Sequence, residues 1–375
     1  MRLLHRASPW RGLFAEESLP DPATLPALLS PLRDALEALG PEPDLADAHA
    51  WQPTLVDALV RLDLPAWRIA QLISDHNAWL YRRTIRLALD EMTGQGWGEP
   101  PAAFCVLVMG SGGRHESLLG PDQDNAMVIA DYPDARHTAI DGYFQSLGER
   151  FTARLDEAGI PLCNGQVMAR WPMWRKRLSE WREQLAIWTA ERRVKRVQQA
   201  NILFDFSPVY GEAALAEALG EAIAALMPSA ALFLDEMASL LDESPVALDR
   251  FGRLAGGVEG APHERALDLK RQGLLPLVGA VRLLALRHGV RESDTRRRLV
   301  ALVARDVLSA EMCRALTAAL GRLQGLVLAE QRDNLVAGRA ADGWVDVARL
   351  GEDQRLLLRH DLQQIRALQR WAPRQ

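Results

Sequence analysis

The stretch from Val106 to Asp131, VLVMGSGGRHESLLGPDQDNAMVIAD, constrains this chain more than any other. The run Phe104 to Met109 just before and into it is apolar, with β-branched and aromatic residues, and stops abruptly at Gly110-Ser111-Gly112-Gly113. That is the pattern of a buried strand entering a tight glycine turn. A short helix is expected from about Arg114, and Asn125 to Ala130 reads as the next strand. Asn201 to Phe206 (NILFDF), with Ser207-Pro208 as its stop, reads as a third.

Around these strands the apolar period is helical. Leu25, Leu28, Leu29, Leu32, Leu36 and Leu39 recur at three- and four-residue steps, and Ile69 to Leu89 does the same. Gly94, Gly96, Gly98, Pro100 and Pro101 break the pattern and mark a boundary. Asp141 to Ala158 predicts a helix with Phe144, Leu147, Phe151 and Leu155 on one face, and Trp174 to about Arg196 predicts another. Beyond Tyr210 the strand signals vanish. Glu212–Leu226, Ala230–Leu241, Leu267–His288, Asp294–Val307, Ala310–Glu330 and Leu350–Trp371 all read as helices of a bundle. The expected class is α+β, mainly helical: a small mixed β-sheet core at 101–211 between an N-terminal helical region (1–100) and a C-terminal helical bundle (212–375).

Charge and cysteine usage narrow the function. With 44 basic against 49 acidic residues and a net charge of -5, a uniformly basic nucleic-acid binder is not expected. Cys105, Cys163 and Cys313 are far apart without CxxC spacing, which suggests neither disulfides nor a zinc site and fits a reducing cytoplasm. The segment MRLLHRASPWRGLFAEESLP has no continuous apolar core, and no apolar run is long enough to span a bilayer. A cytoplasmic protein without membrane contact is the expectation.

The glycine turn is not a P-loop, because no Gly-Lys pair follows Gly110, and not a Rossmann fingerprint, because His115 stands where the third glycine belongs. What remains suits a triphosphate: backbone N–H groups at a glycine turn and helix start, with Arg114 adding positive charge. Asp122 and Asp124 sit two apart, so on extended chain they share a face, roughly 7 Å apart at Cα. The pair alone would read as a solvated turn. Asp205 supplies a third carboxylate inside an apolar run, where burial without a metal or hydrogen-bond partner is costly. Three such groups can hold the paired ions, about 4 Å apart, of an in-line displacement.

Other polar features have plainer readings. His115 reads as an exposed helix residue, His360-Asp361 as a helix-surface pair, and Arg296-Arg297-Arg298 as solvated surface. Trp171, Trp174, Trp181 and Trp188 read as packing residues. The basic cluster Arg170, Arg175, Lys176, Arg177, Arg192, Arg193, Lys195 and Arg196 reads either as a face toward polyphosphate or as a solvated helix face.

Gly110-Ser111, about ten further residues, Asp122-x-Asp124 and a later aspartate resemble the nucleotidyltransferase superfamily, which includes DNA polymerase β. More closely, GSGGRHESLLGPDQDNAMV, NGQVMARWPMWRKRLSEW, NILFDFSPVYG and LDLKRQGLLPLV resemble the bacterial DUF294 nucleotidyltransferases, relatives of the amino-terminal domain of protein-PII uridylyltransferase. The resemblance spans roughly residues 65 to 370. It implies that Gly110 and Ser111 hold phosphate, that Asp122 and Asp124 hold Mg²⁺ or Mn²⁺, and that Asp205 is the third metal ligand or the base. Gly113, Arg114, Glu116, Gln123 and Asn125 belong to the same nucleotide-binding motif, and Lys270 lies where a basic residue could reach the triphosphate or acceptor. The implied activity is transfer of a nucleoside monophosphate from an NTP, ATP or UTP among them, to a hydroxyl of a protein or small molecule. A non-catalytic nucleotide sensor is the alternative.

Overall fold

A computed structural model describes residues 13–15, 18–190, 201–256 and 259–375. The N-terminal segment MRLLHRASPWRG, and Arg192, Arg193, Lys195 and Arg196 of the basic cluster, lie outside the described residues. The chain forms two compact units: 1–181 with 206–218, and 182–205 with 219–375. The N-terminal helices and the sheet thus share one unit.

In the first unit the helices Ser30–Leu39, Leu45–Ala50, Gln52–Arg61 and Ala66–Gly94 precede the sheet. Proline in the first turn starts Ser30–Leu39 and Gln52–Arg61, where its missing N–H removes no helical bond. Asp44 caps Leu45–Ala50 by accepting from the Asp47 N–H at 2.7 Å. Helix Ala66–Gly94 runs 29 residues and stops at the glycine cluster. It buries Ile69, Ile73, Leu80 and Ile85 and packs against helix His137–Glu157.

Strands β1 (Phe104–Met109), β2 (Asn125–Ile129), β3 (Arg175–Arg177) and β4 (Phe206–Gly211) form a mixed sheet in the order β3-β2-β1-β4. β1 pairs antiparallel with both β2 and β4, whereas β3 runs parallel to β2. The central pair is buried almost throughout.

Two sequence expectations change here. Residues 201–203 are helical rather than extended, and β4 begins at Phe206 and runs through Ser207-Pro208. The apolar NILF run serves burial in the second unit, where Leu203 and Phe204 are covered and Phe204 meets the Phe233 ring edge-on at 5.9 Å. Pro208 does not end the strand because β4 lies at the edge of the sheet, the position where a missing donor is tolerated. Arg175–Arg177, expected as the start of a helix, is β3, and the helix begins at Leu178. Three basic residues carry no strand signal.

The second unit is built around helix Leu275–Arg287, which buries Leu277, Val278, Val281 and Leu284. Helices Ala231–Leu240, Thr295–Val303 and Glu352–Trp371 pack on it, and Ala310–Val336 packs on Glu352–Trp371. The expected helix Leu267–His288 is divided. β5 (Ala266–Asp268) pairs antiparallel with β6 (Trp344–Asp346), and a π-helical turn, Lys270–Leu274, leads into the α-helix. Strands of three residues are too short to betray a period. Asp361, read as surface, is buried and accepts from Arg322 Nε at 2.6 Å, while His360 is exposed. Among the described residues no single helix is long and apolar enough to cross a membrane.

A buried polar knot joins two of the early helices. Gln52 Nε2 lies 3.1 Å from His76 Nδ1 and also donates to Asn77 Oδ1, and His76 stacks on Trp79 at 5.8 Å. Burial pushes the His76 imidazole down to about 3, with His49 adding in the same direction. In the unfolded chain the ring takes up a proton near 6.5. The unfolded state therefore binds more protons below that pH, and stability falls as pH drops. The expected slope is about 1.4 kcal/mol per pH unit below roughly pH 6.5. Urea unfolding midpoints measured across this range check it, and a His76→Gln chain should lose much of the slope.

Candidate functional site

The short helix expected from about Arg114 is instead a single helical turn, Gly110–Gly113, ending at Arg114; β1 leads into it, and its first N–H groups are not satisfied within the helix. Gly110 has φ +60°, and a Cβ there would lie 2.8 Å from Asp124 Oδ2. Glycine alone lets the Asp124 carboxylate come so close to the backbone. The Met109 N–H donates to the Asp124 carbonyl at 2.8 Å, fastening the aspartate segment to the end of β1.

Asp122 to Asp124 precede β2 rather than opening it, but they keep the alternation of extended chain. Gln123 and Asn125 are fully buried, while Asp122 is exposed and Asp124 half-buried. Gln123 Nε2 donates to the carbonyls of Thr152 and Ile160, each at 2.9 Å. Asn125 Oδ1 accepts from the Ala169 N–H at 2.8 Å, and its Nδ2 donates to the Tyr81 hydroxyl at 3.3 Å. These two residues, read as nucleotide contacts from the sequence, are buried, and their side chains are engaged by the chain itself.

Asp122, Asp124 and the buried Cys163 each offer one ligand atom, all within 4.8 Å of one another. Two hard carboxylate oxygens with a thiol beside them fit a divalent cation. Burial pushes the Cys163 thiol up, and the Asp124 carboxylate beside it acts in the same direction. The absence of a CxxC partner had set Cys163 aside, and only the fold brings it to the aspartates. An open cleft adjoins them, lined among others by Ser111, Gly112, Ser74, Asn77 and Tyr81.

Arg114 pairs with Glu116 at 2.8 Å, so its charge is balanced within its own motif. His115 takes φ +57°, with its ring near Ser207 Oγ (3.3 Å) and Asp75 Oδ1 (3.6 Å). From the basic cluster, Arg175 is buried against Asp141 and the carbonyls of Ala169 and Arg170, and Arg177 bonds Asp134 and Glu180. Of the tryptophans, Trp174, Trp181 and Trp188 are buried and Trp171 is 41 % exposed.

Asp205 belongs to the second unit. It is fully buried, and of the two partners its burial called for, a metal or a hydrogen-bond donor, it has the second, in two guanidinium groups. Arg298 Nη1 donates to Oδ1 at 2.6 Å, and Arg282 donates to Oδ2 through both Nε (3.0 Å) and Nη2. Arg282 also holds Asn201 Oδ1, and Arg298 the Phe204 carbonyl. Arg298 is therefore core, not the solvated surface expected from the arginine run. Lys270, also in the second unit, is exposed at the start of the π-helical turn.

The DUF294 nucleotidyltransferase model matches residues 50–195, and the companion model for a nucleotidyltransferase substrate binding domain matches residues 231–375. The chain belongs to the DUF294 nucleotidyltransferase family. No curated protein matches it.

Removing the Asp205 carboxylate would take from two buried guanidinium groups the counter-charge they share. Asp205→Ala should lower stability by roughly 3–5 kcal/mol, read from urea unfolding. Asp122→Ala, at an exposed position, should leave the unfolding midpoint nearly unchanged.

Proposed function

We propose that this protein transfers a nucleoside monophosphate from a nucleoside triphosphate to a hydroxyl group, with release of pyrophosphate. The observation that carries this reading is the convergence of Asp122, Asp124 and Cys163 beside the Gly110–Gly113 turn, in a chain of a nucleotidyltransferase family. Asp122 and Asp124 would hold Mg²⁺ or Mn²⁺ through their carboxylate oxygens, with the Cys163 thiol packed beside them. The cation, when bound, would neutralise charge on the triphosphate.

The remaining work falls to the chain. Ser111 and the turn amides orient phosphate oxygens, and Gly110 keeps the backbone close enough for Asp124 to face the same ligand. Gln123 and Asn125 hold the aspartates in place from behind, so that little reorganisation accompanies reaction. The acceptor hydroxyl attacks the α-phosphorus and pyrophosphate departs on the opposite side. A protein acceptor, as in the uridylyltransferase-like reading, and a small-molecule acceptor both fit, and the protein would work in the cytoplasm.

Asp205 serves in this reading as an internal counter-ion, not as a metal ligand or base. That engagement favours a second reading, in which the same cleft binds nucleotide as a sensor without transfer. Incubation with each α-labelled NTP, Mg²⁺ or Mn²⁺ and a cell lysate separates the two. Transfer predicts pyrophosphate release and a labelled acceptor, falling at least about 100-fold in an Asp122→Asn/Asp124→Asn chain of unchanged circular dichroism. Unchanged labelling in that chain overturns the site. Nucleotide binding without pyrophosphate release establishes the sensor.

A further inference from the structure

Helix Ala66–Gly94 lines the cleft at Asp122 and Asp124 with Ser74, Asn77 and Tyr81. Spacings of three and four residues put these on one helical face. All three are buried, Tyr81 to 2 % exposure. Buried polar atoms need partners, so each atom has to be accounted for.

Ser74 is fully engaged: its Oγ donates to the Ala70 carbonyl at 3.0 Å and accepts from the Ser117 N–H at 2.9 Å. Asn77 is engaged on one side only. Its Oδ1 accepts from Gln52 Nε2, which also meets His76 Nδ1, so the buried knot sets the sense of the amide. Nδ2, with two N–H groups to give, makes no hydrogen bond among the described residues. The Tyr81 hydroxyl accepts from Asn125 Nδ2 at 3.3 Å, and because Asn125 Oδ1 is taken by the Ala169 N–H, the sense of this bond is fixed as well. The phenolic proton is then given to no group among the described residues. Burial pushes the phenol up, and the Asp124 and Asp122 carboxylates add in the same direction against the Asn125 hydrogen bond, so the proton stays on the oxygen at neutral pH.

Two side chains one turn apart thus bring unspent donors to the cleft, which calls for a ligand with acceptor oxygens. The cavity volume there, about 20 Å³, admits one oxygen-sized group and no base or sugar ring. A cation on Asp122 and Asp124 would draw an anionic oxygen to the same place. We propose that Tyr81 and Asn77 bind one phosphate oxygen of the triphosphate, in the cleft that Ser111 and Gly112 also line. This rests on the reading of Asp122 and Asp124 as the cation site of a triphosphate. It gives helix Ala66–Gly94, which precedes the sheet, a part in binding, with Gln52 and His76 as positioning residues behind Asn77.

Inorganic tripolyphosphate, titrated calorimetrically into the full chain with Mn²⁺ present, tests this, because it carries phosphates without base or ribose. Tyr81→Phe and Asn77→Ala should each weaken it at least about tenfold, with circular dichroism unchanged. Thr93→Ala, exposed near the end of the same helix, should bind as the wild type does. Mn²⁺ alone, followed by electron paramagnetic resonance, should bind all four chains equally. A purely structural effect, passed from Tyr81 through Asn125 to Asp124, would weaken Mn²⁺ as well. The proposal is overturned if the wild type does not bind tripolyphosphate, if either cleft variant binds it normally, or if Tyr81→Phe loses Mn²⁺ in parallel. Absence of pyrophosphate release from NTPs, with tripolyphosphate still weakened in both cleft variants, overturns transfer and leaves this inference standing.

Discussion

Gln123 and Asn125 hold their places by hydrogen bonds into the protein interior, and because side chains alternate along extended chain, Asp122 and Asp124 then have to face outward together. The cleft depends on this constraint. The inward amides satisfy carbonyls and N–H groups that would otherwise be buried unpaired, so the same bonds that close the core aim the carboxylates. Gly110 completes the arrangement from the other side, since any larger residue would meet Asp124.

The fold was legible wherever apolar pattern and local chemistry agreed. β1, the glycine turn, β2, the long helix ending at Gly94 and most of the C-terminal helices follow directly from periodicity and breakers. Where the reading failed, one signal had two causes. NILFDF is apolar because Leu203 and Phe204 are packed in the second unit, and a buried helix end and a buried strand look alike over six residues. Strands of three residues, such as Arg175–Arg177 and Ala266–Asp268, carry too little pattern to be seen at all.

The candidate site was legible in its local part only. Gly110, Ser111, Asp122 and Asp124 lie within fifteen residues, and their spacing carries the chemistry. Cys163 joins them only through tertiary structure. Asp205 illustrates the reverse problem: the inference that a buried carboxylate needs a counter-charge was sound, but the sequence could not say which charge. The answer lies about 80 and 90 residues further on, in Arg282 and Arg298.

Pro208 has a consequence beyond its own strand. β4 forms one rim of the four-stranded sheet, and a proline there offers no N–H donor to a neighbour on either side. A strand arriving from another molecule would find the hydrogen-bonding ladder broken at that residue. The rim is thus a poor template for growth, and the sheet is discouraged from recruiting further chains into an aggregate.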